Sequence, residues 1–388
     1  MALTGLEIFK LLPKTNCKKC GMPTCLAFAM ALAQKRAKLE DCPYVSEEAK
    51  QKLAEASAPP MRLIKFGSED NQVQIGRETV LFRHEEKFHN PTVLGVTVSD
   101  KLTNDDLKER IEAINRLSFE RVGTKIAVNA VTVLNDSNDP SIFAEVCEKV
   151  ANNSSLAMIL VSDSPKAIAA GLQRSTKSIP LIGFAISDTA DEMTKIAKDN
   201  GCPLIVKADT VEDLAYLTES IKAKGFEDLV LCLDGSSLRE QLYNLTRMRA
   251  LCNKKVFRPL GYPTISFVNR CSYDFAEQSA AGIVTRDDME AVIAVSLICK
   301  YSNIVVIDTV KEYAVLAMLT ARMNIFSDPQ KPVQVESKVY AIGEPDADAP
   351  LMFTTNFSLT YYSVESDVEA SRVPSYILVV DTEGTSVL

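Results

Sequence analysis

The sequence predicts an α/β protein built on a (β/α)8 TIM barrel, with a small N-terminal cysteine module and an incomplete C-terminal α/β domain. Three observations carry this. From residue 91 to Met323, short β-branched runs alternate with helical patterns eight times. Ahead of them, four cysteines fall between Cys17 and Cys42. Behind them, a strand–helix–strand pattern begins and the chain stops. A length of 388 residues accommodates two or three domains, and the boundaries read as 1–58, 59–326 and 327–388.

The first module carries the pattern Cys17-x2-Cys20-x4-Cys25, then sixteen residues, then Cys42-Pro43. Soft thiolates converging on one point suit a metal or an iron–sulfur cluster. Gly21 lets the backbone turn close to it. Thr24 can cap a helix running to about Leu39, with Leu26, Met30, Ala33 and Ala37 as its apolar stripe. Three readings stand: a [4Fe–4S] cluster, a four-thiolate zinc site, or unrelated buried thiols. Zinc sites usually show two Cys-x2-Cys pairs, and only one is present. Lys10, Lys14, Lys18, Lys19, Lys35, Arg36 and Lys38 crowd this stretch in a chain of net charge −8. They form a solvated face, balance an anionic cluster, or dock an acidic partner. Leu6 to Leu12 suggest a helix over the cysteines, and Ser46 starts another through Ala54. Ala56 to Pro60 reads as a linker.

A β segment follows, with strands expected at Met61–Phe66, Val73–Ile75 and Thr79–Arg83. His84 and His89, the only histidines, come next and read as surface or packing residues rather than ligands.

The barrel strands are expected at Val93–Val98, Ile126–Leu134, Leu156–Val161, Leu181–Ile186, Leu204–Val206, Leu229–Leu233, Thr264–Val268 and Ile304–Ile307. Nearly continuous apolar strands imply burial on both faces, as in a parallel sheet. Eight βα units in a row suit a closed barrel better than a doubly wound sheet. Residues just after the strands, such as Asn135-Asp136, Ser162-Asp163 and Asn269-Arg270, are expected to be mostly helix N-caps. Lys207 follows a strand and reads as a surface pair with Asp209 or, less simply, as a catalytic amine. No set of residues here demands catalysis.

After Met323 the pattern changes. Lys338–Gly343 suggests a helix end, Leu351–Thr355 a strand, Leu359–Ala370 a helix and Tyr376–Val380 a second strand. So small a piece cannot bury a core alone.

Composition narrows the function. Net charge of −8 argues against nucleic acid as the main partner. No apolar run reaches membrane-span length. Glu7 and Lys10 interrupt the N-terminal apolar pattern, so no signal peptide is expected. Ten cysteines without a secretion signal point to a reducing cytoplasm.

Three stretches together resemble one family. They are Gly5-Leu6-Glu7-Ile8 through Leu11-Leu12-Pro13-Lys14, the Cys17/Cys20/Cys25/Cys42-Pro43 pattern, and Thr354-Thr355-Asn356-Phe357-Ser358-Leu359-Thr360-Tyr361-Tyr362. The family is that of the large (gamma) subunits of the corrinoid iron–sulfur protein of the reductive acetyl-CoA pathway, also called the acetyl-CoA decarbonylase/synthase pathway. The resemblance runs over the whole chain. It implies a [4Fe–4S] module ligated by Cys17, Cys20, Cys25 and Cys42, a (β/α)8 barrel, and a C-terminal corrinoid-binding α/β domain. That domain continues for several elements in the family, whereas this chain ends at its second strand. Either the protein is truncated or the remainder is mobile, and the second is the expectation, since a carrier must swing its cofactor between partners.

The implied function is methyl carriage, taking part in methyltransferase chemistry. A methyltetrahydrofolate (or related pterin) methyltransferase loads the corrinoid, and CO dehydrogenase/acetyl-CoA synthase receives the methyl group. The cluster returns cob(II)amide to cob(I)amide. A reductive activator protein and a small barrel subunit, forming a heterodimer, are the other implied partners. The implied corrinoid contacts are Thr354, Thr355, Asn356, Phe357, Tyr361, Asp381, Thr382 and Gly384, at carboxyl ends of strands where ligands of α/β sheets bind. Turn and cap chemistry is the plainer reading of the same residues. No Asp-x-His-x-x-Gly motif is present, which fits a base-off corrinoid with no histidine ligand. Two rival readings are an iron–sulfur electron-transfer adaptor with no corrinoid, and a barrel methyltransferase that binds the pterin itself.

Overall fold

The computed structural model describes residues 5–33, 36–46, 49–50, 53, 59–121, 123–175, 178–233, 237–271, 285–328 and 333–381. At its centre eight parallel strands close into a barrel. They are β3 (Val93–Ser99), β6 (Ala130–Leu134), β7 (Ala157–Val161), β8 (Leu181–Ala185), β9 (Leu204–Ala208), β10 (Leu229–Leu233), β11 (Thr264–Phe267) and β12 (Ile304–Ile307). They pair in chain order, and β12 closes onto β3 from Ile304↔Val93 to Ile307↔Val96. Every residue of β7, β8 and β10 is buried, because one side faces the barrel interior and the other the surrounding helices.

Those helices are α3 (Asn104–Asn115), α4 (Pro140–Asn153), α5 (Pro165–Arg174), α6 (Ala190–Asn200), α7 (Val211–Ala223), α8 (Leu238–Lys255), α9 (Arg286–Cys299) and α10 (Glu312–Phe326). Their caps correct one expectation. The side chains that accept the first-turn N–H groups belong to Thr103, Asp139, Ser164, Thr210, Ser237 and Thr285, at least two positions beyond each strand end. The residues immediately after the strands bond to one another instead. Asn135 Nδ2 donates to Ser162 Oγ (2.8 Å), and the Ser137 N–H and hydroxyl both donate to buried Asp100.

The far end of the barrel is closed by a hairpin, β1 (Leu63–Phe66) with β2 (Val73–Gly76). Its Ile64, Phe66 and Ile75 join the barrel-interior core with Val93, Ala130 and Ile159. Thr79–Arg83 forms no strand. Its polar groups serve as a bracket, since the Val80 carbonyl accepts from Arg249 and from Asn253 Nδ2. Arg249 also pairs with Glu78 (3.3 Å), both side chains 3% exposed, and lies over the rings of Phe88 and Tyr301. The expected strand Ile126–Leu134 divides in two. Its first part is β5 (Thr124–Ala127), which pairs antiparallel with β4 (Ser118–Arg121) as an external hairpin, and only β6 enters the barrel. Arg322 enforces the break by donating to the Ala127 carbonyl (2.9 Å) and the Thr92 carbonyl (3.0 Å).

The C-terminal unit has β13 (Val339–Ile342), β14 (Leu351–Thr355), α11 (Ser358–Ser371) and β15 (Ser375–Val380). The sheet order is β13–β15–β14, with β13 antiparallel to β15. The expected helix end at Lys338–Gly343 is therefore a strand, and its exposed–half-buried alternation is the period of a sheet edge. Tyr361, Val368, Ile377 and Val379 make a small core. The N-terminal module contains α1 (Gly5–Leu11) and α2 (Cys25–Ala33).

Candidate functional site

The cysteine module is shaped by an irregular loop between α1 and α2. Lys14, Asn16 and Lys18 all take positive φ (58°, 48° and 62°), and so does Gly21 (77°). That conformation is uncommon for residues other than glycine and clusters at ligand-holding loops. Asn16 fixes the loop to the helix. Its N–H donates to Cys25 Sγ (3.3 Å), and its Oδ1 accepts from the Cys25 N–H (2.8 Å). Thr24 caps α2 through the Ala27 N–H (3.1 Å), as the sequence suggested.

The buried face of α2 is Cys25, Phe28, Ala29 and Ala31 rather than the expected stripe, and Leu26 and Met30 are exposed. Cys42 follows a 3-10 turn at Leu39–Asp41. Cys25 and Cys42 are buried and Cys17 and Cys20 half-buried, and Cys20, Cys25 and Cys42 pack in one small core with Ile8, Phe28 and Val45. The Lys19 N–H, aimed at the Cys17 sulfur, holds that thiol below its ordinary value. Lys10, Lys14, Lys18, Lys19, Arg36 and Lys38 are exposed or half-exposed around this core, and Lys35 lies outside the described residues.

Among the described residues no three His, Cys, Asp or Glu side chains gather tightly enough for a single metal ion. A zinc ion needs sulfurs within ~2.3 Å of one point. A [4Fe–4S] cluster spreads its four thiolates over four irons. Four thiols on one small scaffold are a donor set that fits an iron–sulfur cluster.

The second site lies at the carboxyl end of β14. Asn356 is buried, its N–H donates to the Val380 carbonyl (3.0 Å) and its Nδ2 to Asp381 Oδ1 (3.0 Å). It thereby ties the ends of β14 and β15 together. Phe357 stands at the N-cap of α11 and gives no side-chain cap. Beside that junction, Thr354 Oγ1, Thr355 Oγ1 and Ser358 Oγ are buried with no hydrogen-bond partner among the described residues. Buried hydroxyls are nearly always paired, so orphans at a strand end mark a place where a polar partner belongs, although Thr354 and Thr355, successive in β14, face opposite sides of the sheet. Ser358 was absent from the sequence-based set. Its position at a strand–helix junction could have found it.

Tyr361 differs from the rest. It is packed in the unit's core, donating to Glu365 Oε1 (2.7 Å) with its ring against Tyr340 and Tyr362. Burial pushes its phenol up. Thr382 and Gly384 lie outside the described residues. The two histidines sit before the barrel, His84 stacked on Phe82 and His89 beside Glu86 (3.2 Å).

Comparison with known proteins decides the family. Residues 63–388 match the family described as CO dehydrogenase/acetyl-CoA synthase delta subunit, and residues 12–44 match an Fe-S cluster family. The corrinoid/iron-sulfur protein large subunit of Moorella thermoacetica is 40% identical over 388 residues, all of this chain and 84% of the relative. The chain belongs to the corrinoid/iron–sulfur protein large-subunit family. Its archaeal members include the acetyl-CoA decarbonylase/synthase complex subunit gamma of Methanopyrus kandleri, 35% identical over 390 residues, covering 99% of this chain and 83% of the relative. Among solved structures, dihydropteroate synthase from Thermus thermophilus aligns with a TM-score of 0.47 at 13% identity, covering 69% of this chain and 100% of that one. No helix among the described residues is long and apolar enough to cross a membrane.

Proposed function

We propose that this family member carries a methyl group on a corrinoid held by its C-terminal unit, between a methyltetrahydrofolate methyltransferase and CO dehydrogenase/acetyl-CoA synthase. The observation that carries the reading is the group of orphaned hydroxyls, Thr354, Thr355 and Ser358, at a carboxyl strand end beside the α11 N-terminus. Ligands of α/β sheets bind at such ends, and a corrinoid's amide side chains and phosphate supply the partners these groups lack. Thr354, Thr355, Asn356, Phe357 and Ser358 hold it with Asp381, which follows β15, and Thr382 and Gly384, outside the described residues, are further contacts of the reading. Tyr361 acts beneath them as packing.

Cys17, Cys20, Cys25 and Cys42 ligate a [4Fe–4S] cluster, and the exposed lysines around them balance its charge. When bound, the corrinoid supplies the cobalt that holds the methyl group in transit, and the cluster supplies the electron that returns cob(II)amide to cob(I)amide. Neither His84 nor His89 belongs to the described part of the C-terminal unit, so these two side chains would not ligate the cobalt. A small barrel subunit completes a heterodimer, a reductive activator protein is a further partner, and the setting is the cytoplasm.

Anaerobic purification with metal analysis tests this. About four iron and one cobalt per chain are expected. Iron without cobalt, even after corrinoid is added, would overturn the carrier and leave an iron–sulfur electron-transfer adaptor.

A further inference from the structure

We propose that the outer face of α9 and α10 is the surface on which this barrel packs against a second, related barrel subunit. The inference rests on the heterodimer of the proposed function and adds where its two chains meet. Residues 285–328, both helices and the loop between them, are described without a break. From Ala291 to Cys299 and from Tyr313 to Ala321 neither helix contains a charged residue. Ile293 and Leu297 on α9, and Val315 and Leu319 on α10, are buried in the core around the barrel. The opposite sides are apolar as well. Val292 is 57% exposed and Tyr313 54%, with Val295 and Leu316, one helical turn on, half-buried beside them. α6 shows the ordinary pattern, since Asp191, Glu192, Lys195, Lys198 and Asp199 are all exposed. A helix at a water-facing surface carries charge on its outer side, and one apolar on every side belongs inside a larger assembly.

The Tyr313 hydroxyl lies 3.3 Å from the hydroxyl of Thr285, the α9 cap, which pins the ring at the seam of the two helices. An aromatic side chain already held in place loses little freedom on binding and makes a good interface anchor. Charge returns at the ends, with Arg286 and Asp287 before the patch and Lys300 after it. An uncharged centre with a charged margin is the composition of a permanent subunit interface. The partner is a barrel of the same family. The family matching residues 63–388 is described by a delta subunit, whereas gamma subunits match over nearly the whole chain. One fold thus serves two kinds of subunit. Chains descended from a symmetric dimer keep its self-complementary patch, and equivalent faces meet about a pseudo-two-fold axis. The patch therefore packs against the equivalent helix pair of the delta-type subunit.

The test mixes the intact chain, purified anaerobically with its bound groups, with the delta-type subunit of the same organism, and follows association by analytical ultracentrifugation. The wild-type chains should associate, and Cys299, exposed in the single chain, should be protected from iodoacetamide in the pair. Val292→Lys and Ala317→Glu should each weaken association at least about thirtyfold, a hot-spot loss. Both positions are exposed and both new residues are good helix formers, so the fold should stand. Tyr216→Lys, on the exposed side of α7, should leave association unchanged. Iron and cobalt per chain report on the carrier reading separately and should stay the same in every variant. Association unmoved by both patch substitutions, an equal loss with Tyr216→Lys, or Cys299 equally reactive in the pair would overturn the placement and leave the heterodimer standing. No association of the wild-type chains would overturn both. Self-association of this chain through the patch, abolished by Val292→Lys, would overturn the choice of partner.

Discussion

Thr354→Val separates a hydroxyl that waits for a ligand from one that merely lacks a partner. Thr354 is 9% exposed and its Oγ1 is unpaired. Burying an unpaired hydroxyl costs about 1–3 kcal/mol on mutational scales. Valine keeps the β-branched shape that suits β14 and removes that cost. The corrinoid-free C-terminal unit should therefore gain about 1 kcal/mol, which is about fivefold greater protection. The corrinoid-loaded unit loses a hydrogen bond, and affinity should fall by roughly tenfold. The two effects have opposite sign, and a purely structural threonine could not produce both. Global unfolding of a multi-domain chain is not two-state, so the stability readout is hydrogen exchange of the β14 and β15 amides. Affinity is read from cobalt retained after dialysis. Slower exchange with weaker binding supports the site. Faster exchange with unchanged cobalt would show that the hydroxyl serves the fold, and the argument from orphaned groups would fail.

Three further outcomes are expected. Cys42→Ser should bleach the cluster absorbance and leave the barrel's circular dichroism intact, and an unchanged spectrum would remove Cys42 from the ligand set. Glu78→Gln strips the buried Arg249 of its counter-charge, and losing one partner of a buried pair costs about 3–5 kcal/mol; hydrogen exchange of the α8 amides around Arg249 that changes by less than about fivefold would disprove that account. Glu290 is buried against the Asp308 and Thr309 N–H groups, and burial raises its pKa above the ordinary 4.5. A raised carboxyl pKa means the folded state binds the proton more tightly, so this group's contribution is full below pH 4.5 and is lost as pH rises through the folded value. Glu290→Gln should flatten that part of the stability profile, and an unchanged slope would exclude Glu290 as its source.

The barrel was legible because its signal is periodic. Val93–Val98, Leu229–Leu233 and Ile304–Ile307 are buried runs whose composition already implies two covered faces, and the structure places them as strands of one closed sheet. What misled lay where periodicity is short or tertiary contacts decide. Ile126–Leu134 is apolar almost throughout, and nothing local announces that Arg322, nearly two hundred residues later, takes the Ala127 carbonyl and splits it. On α2, leucine and methionine marked one face by hydropathy, but Asn16 and the buried Cys25 select another. The cysteines could be read as a ligand set because spacing is a covalent property. That the hydroxyls of Thr354, Thr355 and Ser358 lack partners could not be read, because being unpaired is a property of the fold.

The two ends of the barrel have different relations to the rest of the chain. The β4–β5 hairpin lies between a helix and the following strand, so it belongs to the amino-terminal end of the barrel, which the β1–β2 hairpin also plugs. There it meets the C-terminal unit. A Cβ on Gly123, at φ +66°, would overlap the Tyr362 hydroxyl on α11. The strand ends that form the mouth cavity are at the opposite end. With α11 resting on the closed end, a cofactor at its N-terminus is held by the unit that carries it and not by the barrel mouth of the same chain. Substitutions at Thr354 and in the barrel mouth should therefore act independently, as sites without shared contacts do.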